Sequence, residues 1–557
     1  MHTATTMNLK INENGVSRKK SIDPCREIRY NQLYLDFVDS KPEAMSFYPG
    51  QNAAMVAEQL SEIEFSRSEI VSILRRQNKE YGSKSLADAN IAALENSETL
   101  VAFAGQQAGL FGGPLMSLIK AVWVVKEAKR LSLELNRRVV PIFWIAADDH
   151  DFAEINHTYF FNSAGEPNKI SFNNNDQPGR PAYQRFFSDR SRVDELRKTL
   201  SEALGATDFT EEVIERLFAA YREGDDFALC FGRWLADTLP DIGLIIFSPG
   251  DDEVKRLSKP FYSKIIESHN SLKRLLKQTN KNLVDAGYHN QVEKSDSATH
   301  LFILNPERTP LHVHGDKFEL GERDLSNEEV TRIINEEPER LSPDVLTRPL
   351  LSAFLFPTIL QGGGSSEVAY FAQLAGLYEF IERPVPRFDG RASATLVEKR
   401  FERLMSRHKL ELCDFTGDFE NTVSAVLRRT FPDNIELSFS KAKSEMNAAF
   451  DELAGDMLSF DKTLEKNSEQ IWGKIDFALG NFEKKVFAAH KRKMADERAA
   501  LYRAANSLFP LMNLQERSIS SVYYLSRYGY KLIDFIIANL ECDNKNHQLL
   551  YLSDLDK

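Results

Sequence analysis

The densest group of reactive side chains in the sequence is an acidic run around one histidine. Its members are Asp148, Asp149, His150 and Asp151, followed by Asn156 and His157. Carboxylates beside an imidazole raise the pKa of the ring and orient it, which suits a general base acting on an amine. We therefore expect His150, Asp149 and Asp151 to be catalytic and Asn156 and His157 to contact substrate. The same residue types also bind divalent metals or cap helices, so these alternatives stay open.

A glycine-rich turn precedes this acidic run. It extends from Gly105 to Gly113 and contains four glycines together with Gln106 and Gln107. Glycines let backbone N–H groups approach a phosphate or carboxylate, and the following helix adds the positive end of its dipole. We expect Gly105, Gln106, Gln107 and Gly109 to bind substrate, although a tight structural turn would use the same glycines. The turn lacks the GxGxxG and P-loop patterns, so it predicts no standard dinucleotide or Walker-type site.

A second glycine run, GGGSSE at residues 362–367, precedes a predicted amphipathic helix. The serines are candidates for the helix cap, and an acidic residue in the first turn interacts favourably with the helix dipole. Capping does not require three consecutive glycines, so we expect an anion-binding loop here. The substrate-binding residues expected in this region are Gly363, Gly364, Ser365, Glu367 and Tyr370.

The elements around the glycine turn and the acidic run predict a Rossmann-like parallel sheet. Leu100 to Ala104 is a short apolar run that ends at a glycine, Pro114 opens an amphipathic helix, and Val139 to Ile145 is a second apolar run. This strand-helix-strand unit has a connection long enough for a parallel crossover. Ligands in such sheets bind beyond the carboxyl ends of the strands, so both motifs should face one crevice.

The pattern along the 557 residues predicts a tail, an α/β core and an α-helical domain. Residues 1–28 are polar and show neither helical nor strand periodicity, which indicates a poorly ordered tail. Residues 29–390 are expected to form the Rossmann-like catalytic core, with insertions at about 160–240 and 287–340. Strand signals disappear in residues 391–557.

The residue pattern of the C-terminal region, 391–557, predicts a helical coiled-coil domain. No proline occurs between Pro432 and Pro510, and apolar residues recur every three or four positions from Met446 to Leu464 and again from Ile471 to Val486. A helix of this length needs a partner helix from this chain or from a second one. We expect a homodimer through the coiled coil, with one or two interruptions of the helix caused by its glycines.

Composition, cysteine spacing and the N-terminal sequence indicate which partners and which compartment to expect. The net charge of −12 gives no support for a nucleic-acid or anionic-membrane partner. The 4 cysteines are too far apart for a CxxC pair and are typical of reduced thiols. The N-terminus lacks an apolar signal core, and no apolar run reaches the roughly 18 to 20 residues of a membrane span. We expect a soluble, cytoplasmic protein.

Several motifs resemble the bacillithiol-biosynthesis enzymes that add cysteine, a family of cysteine ligases. The motifs are GQQAGLFGGP at 105–114, VVPIFWIAADDHDFAEINH at 139–157, LSPDVLTRPL at 341–350, GGGSSEVAYFAQL at 362–374 and LFPLMNLQERSIS at 508–520. The resemblance extends from about Tyr30 to the C-terminus. The chain departs from the family at Asp148, where a glutamate is usual, and near Leu360, where an aromatic residue is expected.

The resemblance implies a Rossmann core with inserted segments, a dimerising C-terminal coiled coil, and the last step of bacillithiol synthesis. In that step cysteine is joined to glucosaminyl malate by an amide bond. An unactivated carboxylate is a poor electrophile, so a cosubstrate such as ATP or another nucleotide is expected, although the sequence identifies none. The family also implies a second nucleotide-sized pocket, to which no residues can be assigned. The alternatives are a metal-dependent hydrolase of a sugar amide and a coiled-coil scaffold without activity.

Overall fold

The computed structural model describes residues 21–22, 30–172 and 179–555. The predicted tail, residues 1–28, lies outside the described residues except for Ser21 and Ile22, which form a short strand. Contacts divide the chain into two compact units. The first unit comprises Met1–Glu398 and Asn513–Lys557, and the second comprises Lys399–Met512.

A parallel five-stranded sheet forms the centre of the first unit, in the order β13-β12-β2-β3-β6. The strands of the described chain are β1 (Ser21–Ile22), β2 (Leu100–Gln106), β3 (Val139–Ile145), β4 (His157–Phe161), β5 (Pro167–Ser171), β6 (Ile245–Phe247), β7 (Ala298–Leu304), β8 (Arg308–His314), β9 (Lys317–Leu320), β10 (Arg323–Leu325), β11 (Leu341–Pro343), β12 (Thr358–Gly363), β13 (Arg387–Gly390), β14 (Ser393–Val397) and β15 (His547–Tyr551). Every residue of β3 is buried, as expected for a central parallel strand. The predicted Rossmann-like sheet is therefore confirmed.

Two further sheets lie in the first unit. The antiparallel sheet β10-β9-β8-β7-β11 occupies the β-like region between about residues 298 and 343. The third sheet has the order β1-β15-β14, with β14 and β15 parallel. The expectation that no strand follows residue 391 is wrong, because β14 and β15 pair with each other across a long sequence separation. Short apolar runs such as these give no periodic signal of their own.

Helices surround the central sheet and form the second unit. Before Lys399 they are α1 (Gln32–Val38), α2 (Pro42–Met45), α3 (Ala53–Ser61), α4 (Arg67–Tyr81), α5 (Ser85–Ala93), α6 (Met116–Leu135), α7 (Phe152–Ile155), α8 (Arg190–Leu204), α9 (Thr210–Ala220), α10 (Phe227–Thr238), α11 (Asp252–Leu257), α12 (Lys259–Glu267), α13 (His269–Asp285), α14 (Asn327–Glu336), α15 (Arg348–Leu355), α16 (Ser365–Phe371) and α17 (Ala375–Phe380). The second unit contains α18 (Lys399–His408), α19 (Phe419–Arg429), α20 (Asp433–Phe460), α21 (Glu465–Lys493) and α22 (Ala495–Leu508). The first unit resumes with α23 (Gln515–Ser518), α24 (Ser521–Tyr528) and α25 (Lys531–Asn539). No helix in the described part of the chain has both the length and the apolar character needed to cross a membrane.

The α6 crossover joins β2 to β3 and sets the position of the site. It buries one long apolar face, which includes Leu118, Val122 and Leu131, against the sheet. It ends at Asn136, whose left-handed backbone is a common helix terminator. Register pairs Gly105 with Trp144, so the glycine turn and the loop after β3 leave the sheet at the same edge.

In the second unit, α20 and α21 form an antiparallel helical hairpin. Ring centroids of Phe439 and Phe482 lie 5.5 Å apart, and those of Phe450 and Trp472 lie 5.4 Å apart. The partner helix thus comes from the same chain. The hairpin turns at Asp461, whose side chain accepts a hydrogen bond from the Thr463 N–H. The predicted interruptions at glycines are wrong, because the glycines of α20 and α21 lie inside regular helix and a Cβ at each would meet open space.

Candidate active site

A cavity of about 490 Å³ opens at the carboxyl ends of β2, β3 and β12. The structure brings the glycine turn, the acidic run and the second glycine run together in its wall. The predicted site residues that line it are Gly105, Gln106, Gln107, Asp149, Gly364, Glu367 and Tyr370. The predicted residues that do not line it are His150, Asp151, Gly109, Asn156, His157, Gly363 and Ser365. The catalytic roles of His150 and Asp151 and the substrate contacts of the other five residues stay predictions.

Sequence reasoning missed four basic side chains in the wall, Lys120, Arg348, Arg391 and Arg517. Lys120 stands alone among apolar residues in the first turns of α6, and this isolation was a usable signal. Arg348 and Arg517 lie inside motifs already noted, LSPDVLTRPL and LFPLMNLQERSIS. Nothing in the sequence shows that these segments meet at one cavity.

Lys120 connects the first glycine turn to the second. Its Nζ donates to the Gly105 carbonyl at 2.8 Å, to Gln106 Oε1 at 3.0 Å and to Glu367 Oε2 at 2.6 Å. Burial lowers the pKa of Lys120, while the Glu367 carboxylate opposes that effect. Because three acceptors use all three ammonium donors, Lys120 holds the cavity wall together and has no donor left for a ligand.

The three arginines give the wall a cationic character. Within the described residues, the Nε atoms of Arg348 and Arg391 are buried without a hydrogen-bond partner. A Cβ placed on Gly364 would lie 3.2 Å from Arg517 Nη2 and 3.8 Å from Arg391 Nε, so a side chain there would crowd both groups. Guanidinium groups with unused donors are well suited to carboxylates and phosphates. This part of the cavity is therefore suited to an anionic group.

Asp149 brings a carboxylate into the same cavity. Its Oδ2 accepts from Gln107 Nε2 at 2.9 Å, and its Oδ1 accepts from the Asp151 N–H at 3.1 Å. Gln107 Nε2 also donates to Glu154 Oε2 at 2.5 Å. Burial alone would raise the pKa of Asp149, but Arg348 and the Gln107 hydrogen bond outweigh it and hold that pKa below its ordinary value. Asp149 is therefore an ionised carboxylate at neutral pH.

His150 lies in a different environment from the one expected. Its Nδ1 is 3.1 Å from Arg308 Nη1, and because arginine only donates, Nδ1 accepts and Nε2 carries the proton. Burial, and next the positive charge of Arg308, lower the pKa of His150 against the smaller opposing effects of Asp149 and Asp151. The flanking carboxylates act in the predicted direction, but the prediction of a raised net pKa is wrong. The ring is neutral at pH 7 and offers a donor at Nε2.

The remaining members of the acidic run have separate tasks. Asp148 is fully buried with Lys255, whose Nζ lies 2.6 Å from Asp148 Oδ1. Asp151 caps α7 by accepting from the Ala153 N–H at 3.1 Å. No group of three or more His, Cys, Asp or Glu side chains suited to a metal ion occurs in the described part of the chain. The run does not converge on a single centre.

The second half of the first glycine turn is structural. The Tyr221 hydroxyl donates to the Gly109 carbonyl at 3.2 Å and accepts from the Gly112 N–H at 2.9 Å. A Cβ on Gly112, whose φ is +78°, would lie 2.3 Å from the Trp234 ring. The turn therefore divides into a cavity-lining part, 105–107, and a packing part, 109–113.

Behind Arg391 lies a buried polar layer that includes Glu516 and His547. His547 Nδ1 is 2.7 Å from Ser393 Oγ, and its Nε2 is 2.8 Å from Thr395 Oγ1. Burial lowers the pKa of His547 to about 4, with Glu516 opposing and Arg391 assisting. The ring is neutral in the folded protein.

The lowered pKa of His547 predicts that the stability of the protein depends on pH. Between pH 6.5 and about pH 4, His547 binds a proton in the unfolded chain but not in the folded one. Its contribution is therefore complete above pH 6.5 and is lost as pH falls toward 4, by about 3 kcal/mol in all. Urea unfolding at several pH values should show a steeper acid loss for the wild type than for His547→Gln. Parallel pH profiles of the two proteins would contradict this account.

The fold and the cavity define a Rossmann-like protein with a ligand crevice at the strand ends and a coiled-coil domain. The family description "Bacillithiol biosynthesis BshC, N-terminal Rossmann-like domain" matches residues 19–391, and "Bacillithiol biosynthesis BshC, C-terminal coiled-coil domain" matches residues 394–552. The chain belongs to the BshC family of bacillithiol biosynthesis.

Curated relatives align over nearly their whole length. The protein "Putative cysteine ligase BshC" of Koribacter versatilis (strain Ellin345) is 29% identical over 523 residues, which are 92% of this chain and 96% of the relative. The protein of the same name from Salinibacter ruber is 28% identical over 533 residues, or 94% and 96% of the two chains. The one from Geobacillus kaustophilus is 28% identical over 498 residues, or 88% and 91%. The names of these relatives denote ligases.

Proposed function

We propose that this protein is the cysteine ligase that completes bacillithiol synthesis by joining cysteine to glucosaminyl malate through an amide bond. One observation carries the proposal. A single cavity is lined by three arginines and an ionised carboxylate, which match the two charged ends of an aminosugar malate. Membership of the BshC family supports the same substrates.

The charges of the wall suggest how the substrate lies. The two malyl carboxylates face Arg391 and Arg517, where charge-assisted hydrogen bonds are strongest. The sugar amine then faces Asp149, which is held by Gln107. Binding at both ends places the amine in one position for attack on the cysteine carboxyl carbon.

The chemistry requires a neutral amine. Asp149 attracts the ammonium form, which loses one proton to solvent to become the neutral nucleophile. Asp149 then accepts the second proton, which the nitrogen releases as the C–N bond forms. At the same time the bond between the cysteine carboxyl carbon and its activating group breaks, and that group leaves with the electron pair. ATP or another nucleotide would supply the activation, and no residue is assigned to it. His150 remains the second candidate for the base, although its Nδ1 is occupied by Arg308.

The hydrolase alternative has less support. A metal-dependent hydrolase would need several carboxylates and imidazoles around one ion. Here Asp148 pairs with Lys255 and Asp151 caps a helix. Release of acetate from N-acetylglucosaminyl malate by the purified protein would favour the hydrolase.

Titration calorimetry with three ligands tests the proposed substrate site. Glucosaminyl malate should bind tightly, malate alone more weakly, and glucosamine alone weakest of all, because only the first satisfies both ends of the cavity. Arg503 is an exposed arginine outside the cavity. Arg503→Met is therefore the matched control for replacing a cavity arginine, such as Arg517, with methionine. Equal affinity for glucosaminyl malate and glucosamine would contradict the assigned malyl contacts.

We also propose a homodimer through the helical hairpin. No residue of α20 is buried, and Leu453, Phe460 and Phe477 remain 53%, 91% and 70% exposed. Exposed apolar residues on a long hairpin are the surface that a second copy would cover.

Charging this surface should release monomers. Leu453→Asp with Phe477→Asp avoids Phe450, which packs on Trp472 of its own chain. Sedimentation velocity should then show a lower mass than for the wild type, while Asn467→Asp, an added charge at an exposed polar position of the hairpin, should leave it unchanged. A dimer that persists in the double variant would rule out this surface.

A further inference from the structure

Glu516 is a fully buried carboxylate just behind the cavity wall. Its Oε1 lies 2.6 Å from Arg391 Nη2 and accepts from Ser393 Oγ at 2.8 Å. Its Oε2 accepts from the Ala394 N–H at 2.9 Å. Burial alone would raise the pKa of Glu516, but Arg391 outweighs it, so the carboxylate is ionised. These contacts fix both oxygens.

The same contacts fix one side of the Arg391 guanidinium. Its Nη1 donates to the Ala392 carbonyl at 2.8 Å, and its Nη2 faces Glu516 and, at 3.7 Å, the sulfur of Met116. Its Nε is the one guanidinium nitrogen of this residue for which the described chain offers no acceptor. Arg391 itself lines the cavity and is 5% exposed. A planar group held along one edge keeps a fixed orientation in the cavity wall.

We infer that Glu516 is a positioning residue for substrate binding, which holds the Arg391 guanidinium in the cavity wall where it meets the anionic end of the substrate. The inference rests on the proposed function, because it takes the cavity arginines as carboxylate ligands. The positioning role of Glu516 requires only that the ligand carry a carboxylate. Arg391 precedes the helical unit in sequence, whereas Glu516 and Arg517 follow it. The segment that returns from that unit thus both supplies one arginine and orients another.

The test uses the full-length protein and malate as the probe. Glu516→Gln keeps the size and the oxygen that accepts from Ala394, but it removes the charge that holds Arg391. We expect its dissociation constant for malate to rise about 10-fold or more, since hydrogen bonds to charged groups depend on orientation. With glucosaminyl malate and cysteine as substrates, KM for glucosaminyl malate should rise by a similar factor while kcat changes much less.

A buried charge change can also destabilise the protein, so two further variants are needed. Glu516→Asp keeps the charge but withdraws the carboxylate from Arg391, and it should raise the dissociation constant for malate in the same direction. Glu127→Gln is the matched control, because Glu127 is a buried carboxylate paired with Arg130 at 2.7 Å and does not line the cavity. It should lower the unfolding temperature without changing malate binding.

The outcomes separate this inference from the proposed function. If Arg391→Met weakens malate binding but neither Glu516 variant does, Glu516 has no positioning role and the anion site stands. If the wild type binds neither malate nor glucosaminyl malate, the proposed function fails. If Glu516→Gln does not fold, Glu516→Asp decides, and unchanged malate affinity in that variant overturns the inference.

Discussion

Asp149→Asn should lower the rate of thiol-product formation by about 100-fold or more, the usual scale of general-base catalysis. The carboxylate lines the cavity and is ionised, whereas an amide cannot accept a proton from the attacking amine. Asparagine keeps the size of the side chain and one oxygen, which can accept from Gln107 or from the Asp151 N–H, so the loop after β3 should keep its structure. The measurement is product formation under saturating substrates, beside thermal unfolding of each variant.

His150→Asn is the variant that tests the alternative base. Because Arg308 occupies Nδ1 and Nε2 carries the proton, the ring has no free lone pair, so we expect this change to cost much less activity than Asp149→Asn. Asp151→Asn should cost little activity, because that side chain caps a helix. A loss at His150 as large as that at Asp149, with stability unchanged, would move the role of base to His150.

Arg517→Met should raise KM for glucosaminyl malate by about 10- to 100-fold, the range that a lost hydrogen bond between charged groups produces. Methionine preserves much of the apolar stem of arginine and removes the donors next to Gly364. The KM for cysteine should stay near the wild-type value, because the malyl end and not the amino acid is affected. An equal rise in both KM values would indicate a general distortion of the cavity.

The central sheet was predictable because its signals are local. The apolar run at Leu100–Ala104, the proline at the helix start and the second run at Val139–Ile145 each carry their own pattern. Parallel strand ends meet at one edge, so the meeting of Gly105 with Asp149 followed from the fold alone. The glycines themselves were ambiguous, since Gly105 faces the cavity whereas Gly112 makes room for Trp234.

The cationic half of the site could not be predicted from the sequence. In sequence, Arg391 precedes the helical unit and Arg517 follows it, so only the fold of the first unit brings them to one wall. The pKa of His150 was predicted in the wrong direction for the same reason. Its neighbours in sequence are acidic, but burial of the ring and the contact with Arg308, which comes from the inserted sheet, lower its pKa.

The most direct test of the central claim is the formation of the amide itself. Purified protein is incubated with cysteine and glucosaminyl malate, with and without ATP, and the thiol products are identified by mass spectrometry. We predict a product whose mass equals the sum of the two substrates less one water, formed by the wild type, reduced about 100-fold in Asp149→Asn, and unaffected by Arg503→Met. Formation of this product at the wild-type rate by a protein with both Asp149→Asn and Arg517→Met would contradict the assignment of the reaction to this cavity.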